Sequence, residues 1–202
     1  VTTWIGHLCT VAGLSVAVGG NLGVPMMDYA QKGGTLDFAV IELSAFQLLS
    51  TSTLLPCIAV VTNVVDDHLD YFRGDRDAYR ASKRILWELA GEGATRIALE
   101  GSSIISTWPE PTHGRTSWLA QEPGTGIWFS DEGVYWGESI LARSSELPFP
   151  GKHSIRNGAL VAEAGRVLGM ESSLIRRGLL TYRGLPHRTE FVGTYRGRRV
   201  YN

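Results

Sequence analysis

The sequence predicts an α/β fold: a mostly parallel, doubly wound sheet flanked by helices, with a small antiparallel sheet in its second half. Three observations carry this prediction. Asp37-Phe38-Ala39-Val40-Ile41-Glu42-Leu43 and Ile58-Ala59-Val60-Val61-Thr62-Asn63-Val64 are near-continuous apolar runs, as strands buried on both faces should be. Fourteen residues separate them, long enough for a crossover between parallel strands. Beyond residue 114 the pattern changes to period-two segments broken by turn residues, which is antiparallel hairpin chemistry.

In chain order, residues 4–13 read as a helix, followed by a short strand, Ser15-Val16-Ala17-Val18, and a glycine turn, Gly19-Gly20-Asn21-Leu22-Gly23. The two buried runs come next. Residues 75–90 read as a helix capped by Asp75, with Ala78, Ser82, Ile85, Leu86 and Leu89 on one small or apolar face. Arg96-Ile97-Ala98-Leu99 is a fourth short strand. Trp118-Leu119-Ala120 and Ile127-Trp128-Phe129 carry the period-two pattern, and Ser130-Asp131-Glu132-Gly133 turns into Val134-Tyr135-Trp136. Helices are predicted over 154–168 and 172–180, and a last hairpin over 190–195 and 198–201, turning at Arg196-Gly197.

An apolar share of 44% supports a sizeable core and excludes a disordered chain. A net charge of −1 argues against nucleic acid or a membrane surface as the main partner. No apolar run approaches the ~20 residues of a membrane span. Cys9 and Cys57 lie far apart in apolar surroundings and are expected as two buried free thiols, in keeping with a reducing compartment. Met26 and Met27 are expected to serve packing. The chain opens on Val1-Thr2-Thr3-Trp4 and closes on Arg198-Arg199-Val200-Tyr201-Asn202, a strand-like run, so a piece of a longer protein is expected.

Ligands of open α/β sheets bind outside the carboxyl ends of the strands. One strand here releases Gly19-Gly20-Asn21, a second ends at Glu42 with Ser44 and Gln47 following, and a third runs into Asn63-Val64-Val65-Asp66-Asp67-His68-Leu69-Asp70. A carboxylate, an imidazole and amides at one edge suit a hydrated divalent cation with a phosphate. Each group also has an ordinary reading. Glu42 could cap a turn, and Asp66-Asp67-His68 could be a solvated turn. Lys83, on the same side of its helix as Tyr79, Leu86 and Trp87, could simply snorkel. Gly151-Lys152-His153-Ser154-Ile155-Arg156-Asn157 opens a helix whose amides could face a ligand, or is plain helix-boundary sequence. Arg188, in Gly184-Leu185-Pro186-His187-Arg188, could grip phosphate or stand in a surface ion pair.

Together these strings, with Glu42-Leu43-Ser44-Ala45-Phe46-Gln47-Leu48 and Tyr79-Arg80-Ala81-Ser82-Lys83, resemble the central ATP-binding domain of the Mur ligases, a P-loop-like α/β domain, over residues 1–202. The Glu-Leu-Ser-x-Phe-Gln and Gly-Leu-Pro-His-Arg strings are most similar to the branch that adds D-glutamate to UDP-N-acetylmuramoyl-L-alanine. The resemblance implies an ATP-dependent amide-forming ligase of peptidoglycan synthesis. ATP phosphorylates the substrate's terminal carboxylate, and the incoming amine attacks the acyl phosphate. It implies ATP as co-substrate, two Mg²⁺ ions, and Glu42, His68 and a carbamylated Lys83 as catalytic and metal-binding residues. Asn21, Ser44 and Gln47 would lie on the substrate side, and Asn157 and Arg188 on the nucleotide side. A cytoplasmic monomer is expected, with UDP-binding and amino-acid-binding domains outside residues 1–202.

The family's phosphate loop, ending Gly-Lys-Ser/Thr-Thr, would precede Val1, so this stretch is expected to hold ATP poorly. An Asp-Ser-Lys string would follow Asn202, and Ser154 stands where relatives often have Asn. The readings set against this one are a ligase with another amino-acid partner, of the folylpolyglutamate type, and a non-catalytic binding module. A third is a metal-dependent phosphohydrolase built on Asp66, Asp67, His68 and Asp70.

Overall fold

Parallel strand pairing organises the first 119 residues of this chain and antiparallel hairpins follow, but residues 38–42, expected to be buried on both faces, are only partly buried, with Ala39 exposed. The computed structural model describes residues 1–109, 112–186 and 190–202. Helix α1 (Thr2–Val11) leads into β1 (Val16–Gly20), α2 (Met26–Lys32), β2 (Phe38–Glu42), α3 (Ala45–Leu49) and β3 (Ile58–Val61). Then come α4 (Arg76–Leu89), β4 (Thr95–Leu99), β5 (Arg115–Leu119), β6 (Ile127–Ser130), β7 (Gly133–Trp136) and β8 (Ser139–Arg143). Helices α5 (Lys152–Val167) and α6 (Ser172–Thr181) precede a hairpin of β9 (Phe191–Tyr195) and β10 (Arg198–Tyr201).

The predicted α/β class is what the chain adopts, with parallel strands flanked by helices and a small antiparallel sheet. The parallel strands form two ladders: β1 pairs with β2 from Val16–Phe38 to Gly20–Glu42, and β3-β4-β5 form a second, parallel set. β6-β7-β8 make an antiparallel meander and β9-β10 a separate hairpin.

Several expectations need correction. Trp118 and Leu119 belong to β5, which pairs parallel with β4. Alternation there reflects a strand with differently covered faces: Ser117 bonds Glu163 of α5 on one face while Trp118 meets Trp87 of α4 on the other. A period of two reports faces, not direction. β8 escaped notice because only Gly137 and Glu138 separate it from β7. Helices α2 and α3 escaped too: they span seven and five residues, too short for a periodic signal, and α2 buries none of its residues. Met27 is accordingly exposed, and Cys57 is exposed while Cys9 is buried. On α4 the buried residues are Tyr79, Ser82 and Trp87, so Ala78, Ile85 and Leu89 lie at the margin of the inward face.

The main core gathers Trp4, Leu8 and Cys9 of α1, Ile97 and Leu119 of the sheet, Phe129 and Val134 of the meander, and Leu160 and Ile175 of the last helices. Removing this much apolar surface from water is the chief favourable contribution to the fold. A second cluster, Ala45, Val61, Val64, Phe72, Tyr79 and Trp87, lies beneath the 62–72 loop and positions the residues described next.

Candidate functional site

The glycine at the end of β1 decides how its neighbours meet. Gly20 has φ +105°, and a Cβ there would run into the carbonyl oxygen of Glu42. Because the backbones approach so closely, the amide of Asn21 donates to the Glu42 carbonyl at 2.8 Å, and the Asn21 side-chain amide reaches Glu42 Oε1 at 3.4 Å. Asn21 and Glu42 therefore stand side by side at the carboxyl edge. Two residues on, Ser44 caps α3 in a reciprocal box: Gln47 N donates to Ser44 Oγ at 3.3 Å, and Ser44 N donates to Gln47 Oε1 at 2.9 Å. The oxygens of Ser44 and Gln47 are thus engaged with each other, while α3 carries Phe46 toward the loop after β3.

That loop, residues 62–70, is pinned at two points. Val64 is buried in the second cluster. Asp66 accepts Arg80 Nε at 3.2 Å and Arg80 Nη2 at 3.0 Å, and Arg76 Nε stands 3.3 Å from its second oxygen. Asp66 is thereby held by two cations of α4. His68 follows in the left-handed region at φ +51°, its amide on Asp67 Oδ1 at 2.8 Å and its ring 5.2 Å from Phe46.

Lys83 lies half-buried one turn along α4 from Arg80, with Nζ 5.9 Å from the centre of the Tyr79 ring. Burial pushes its ammonium below the ordinary lysine value, while the negative charges of Glu42 and Asp67 pull it back up. Asn21 thus stands beside Glu42 where β1 and β2 end, Asp67 and His68 follow each other in the loop after β3, and Lys83 lies over Tyr79 on α4. Burial also raises the Tyr79 phenol, with Asp67 and Asp66 adding to the effect.

Among the described residues, no group of three or more His, Cys, Asp or Glu side chains could hold a metal ion alone. The donors carried by these elements are the Glu42 and Asp67 carboxylates, the His68 imidazole and a lysine amine whose basicity burial lowers. Mg²⁺ binds through one or two protein carboxylates, completing its shell with water and phosphate oxygens. Glu42 supplies such a carboxylate at the end of β2.

Asn157 sits half-buried in α5, two turns from Gly151, and the nearby Ser154 hydroxyl is buried without a partner. No contact joins Asn157 to Glu42, His68 or Lys83 among the described residues. Arg188 lies outside the described residues. Sequence reasoning missed the Arg76–Arg80 pair and the rings Phe46, Tyr71, Phe72 and Tyr79, which touch in series at 4.5 to 6.1 Å. The i,i+4 spacing of the two arginines on a capped helix was the available signal.

Residues 1–165 match the Mur ligase middle domain. Over its whole length the chain is 30% identical to the UDP-N-acetylmuramoylalanine–D-glutamate ligase of Lactococcus lactis, covering 45% of that protein. It is 33% identical to the enzyme of the same name from Enterococcus faecalis, covering 44% of it. The chain thus spans about half the length of the curated relatives it matches. Among solved structures, MurF ligase from Thermotoga maritima in complex with ADP superposes with a TM-score of 0.67 at 19% identity, over 93% of this chain and 46% of that one. At that identity the likeness concerns the fold.

Proposed function

The chain belongs to the Mur ligase family, and on that premise we propose that it is the central unit of an ATP-dependent ligase joining D-glutamate to UDP-N-acetylmuramoyl-L-alanine. The observation that carries the reading is Lys83, held half-buried over Tyr79 with the charges of Glu42 and Asp67 acting on it. A lysine of lowered basicity keeps a larger share of neutral amine, the form that takes up CO₂ to become a carbamate. D-glutamate as the incoming amino acid is supported by the names of the relatives aligned over the whole chain.

In this reading the terminal carboxylate of the muramoyl substrate attacks the γ-phosphorus of ATP, expelling ADP. The amino nitrogen of D-glutamate then attacks the carbonyl carbon; the amide forms, phosphate leaves and the nitrogen loses a proton. Bound Mg²⁺ would neutralise the phosphoryl and acyl-phosphate oxygens as charge develops. Glu42, His68 and carbamylated Lys83 would hold two such ions. Asn21 orients Glu42 through its side-chain amide, and Ser44, with Gln47, ends β2 in a rigid turn facing the substrate. Asn157 and Arg188 would take the nucleotide side. Residues 1–202 form the central domain of this proposal, with UDP-binding and glutamate-binding domains elsewhere in a longer cytoplasmic protein. No helix among the described residues is long and apolar enough to cross a membrane.

The test is phosphate release by the whole protein that contains this chain. Release should require ATP, UDP-N-acetylmuramoyl-L-alanine and D-glutamate together; equal turnover with other amino acids, or none with D-glutamate, refutes the assignment. Lys83→Ala should abolish nearly all turnover, and short carboxylic acids should restore part of it.

A further inference from the structure

The loop that carries Asp67 and His68 belongs to no strand or helix, whereas Lys83 sits on a regular, well-capped helix. Asp75 accepts the amides of Asp77 and Ala78 at 3.0 and 2.9 Å, which starts α4 firmly. Something must set the loop against the helix, because turns without a ladder of their own move more readily than the elements they join. Val64 anchors the loop on one side of Asp66. On the other, the amides of Tyr71 and Gly74 donate to the carbonyls of His68 and Leu69 at 3.1 and 2.7 Å, the Asp75 amide donates to the Phe72 carbonyl at 2.9 Å, and Phe72 meets Tyr79 of α4 edge-on.

The charged tie is the fork of Arg80 on Asp66. It involves both oxygens of the carboxylate, with Arg80 Nη2 at 3.0 and 3.3 Å and Nε at 3.2 Å. Asp66 is 27% exposed and Arg80 33%, so water screens the pair less than it would a fully exposed one. Arg76 adds a second cation one turn earlier. Arg80 precedes Lys83 by three residues, about 4.5 Å along the helix axis. Asp66 precedes His68 by two. This charged contact therefore joins the segment bearing the imidazole to the helix bearing the lysine amine, on the opposite side of His68 from the Phe72–Tyr79 ring contact.

We propose that Arg80, acting through Asp66, is a positioning residue that sets Asp67 and His68 against Lys83 so that a divalent cation meets a preassembled edge. The inference rests on the cation site proposed above. Outer partners that orient ligating side chains typically change metal affinity by 10–100-fold when removed.

The experiment titrates Mn²⁺ alone into the whole protein that contains this chain, followed by electron paramagnetic resonance, alongside thermal melting and amide hydrogen exchange by NMR. Arg80→Met and Asp66→Asn should each weaken Mn²⁺ binding at least about tenfold. The double variant should be no worse than either single one, because both remove one contact. Arg80→Lys, which keeps the charge and loses the fork, should recover part of the affinity. A role in stability alone would lower the melting temperature and leave Mn²⁺ binding intact, so affinity within twofold of the parent in both single variants overturns the proposal. If the unaltered protein binds no Mn²⁺, the cation-site reading fails, and the tie is scored by exchange alone. Faster exchange at Tyr71, Phe72 and Gly74 in Arg80→Met then upholds it, and unchanged exchange overturns it.

Discussion

Arg96 is a cation buried in the fold. It is 2% exposed, yet it donates Nε to the Trp87 carbonyl at 2.7 Å, Nη1 to the His113 carbonyl at 2.9 Å, and Nη2 to the Ala90 carbonyl. Two of those oxygens lie at the carboxyl end of α4, where a cation complements the helix dipole. Arg96→Met would leave buried carbonyls without donors and should cost about 3 kcal/mol in denaturant unfolding; a change below about 0.5 kcal/mol contradicts this role. His7 supplies a pH dependence. Burial holds its imidazole below the ordinary value of 6.5, and Nε2 stands 2.8 Å from the Thr181 hydroxyl. The unfolded chain then takes up a proton that the folded chain refuses, so stability should fall as pH drops through about 6.5 and level off below the folded value. His7→Gln should flatten that slope in melting curves recorded between pH 5 and about 7.5.

Among the elements, α1 and α6 approach closely because Gly178 faces Leu8. A Cβ there would collide with Leu8 Cδ1 and stand 3.3 Å from its Cα, and Trp4 Nε1 donates to the Gly178 carbonyl at 3.2 Å. Alanine ordinarily gains about 1 kcal/mol over glycine inside a helix. Here Gly178→Ala should instead destabilise by about 1–3 kcal/mol, and a raised melting temperature would refute the packing argument. Legibility at this scale followed length and periodicity. Helices α4, α5 and α6 could be read because each spans ten residues or more and turns one side inward; the Asp75 cap could be read from its residue type. The direction of β5 could not, since direction depends on the crossover through residues 100–114 and leaves no periodic trace.

For the molecule as a whole, the carboxyl-edge argument rested on strand ends: Asn21 and Glu42 meet where β1 and β2 finish, and the 62–70 loop follows β3. Lys83 entered through resemblance, since a snorkelling lysine and a buried one look alike in a helix pattern. The Asp66 fork was invisible because it needs the loop to fold back on α4, a contact 14 residues apart that no local preference encodes. The division of the parallel strands into two ladders has a further consequence for behaviour in solution. Among the described residues β2 is paired in its ladder only with β1, and β3 only with β4, so each has one rim without a ladder neighbour. Such rims invite a foreign strand. The chain at high concentration should form soluble oligomers that sedimentation velocity resolves, against the monomer expected. Ala39→Lys, at an exposed position of β2, should shift that distribution toward single chains by setting a charge beside the rim. Equal sedimentation of both would show that the rims are silent, and their difference would make colloidal stability, rather than folding, the property that this sheet leaves most exposed.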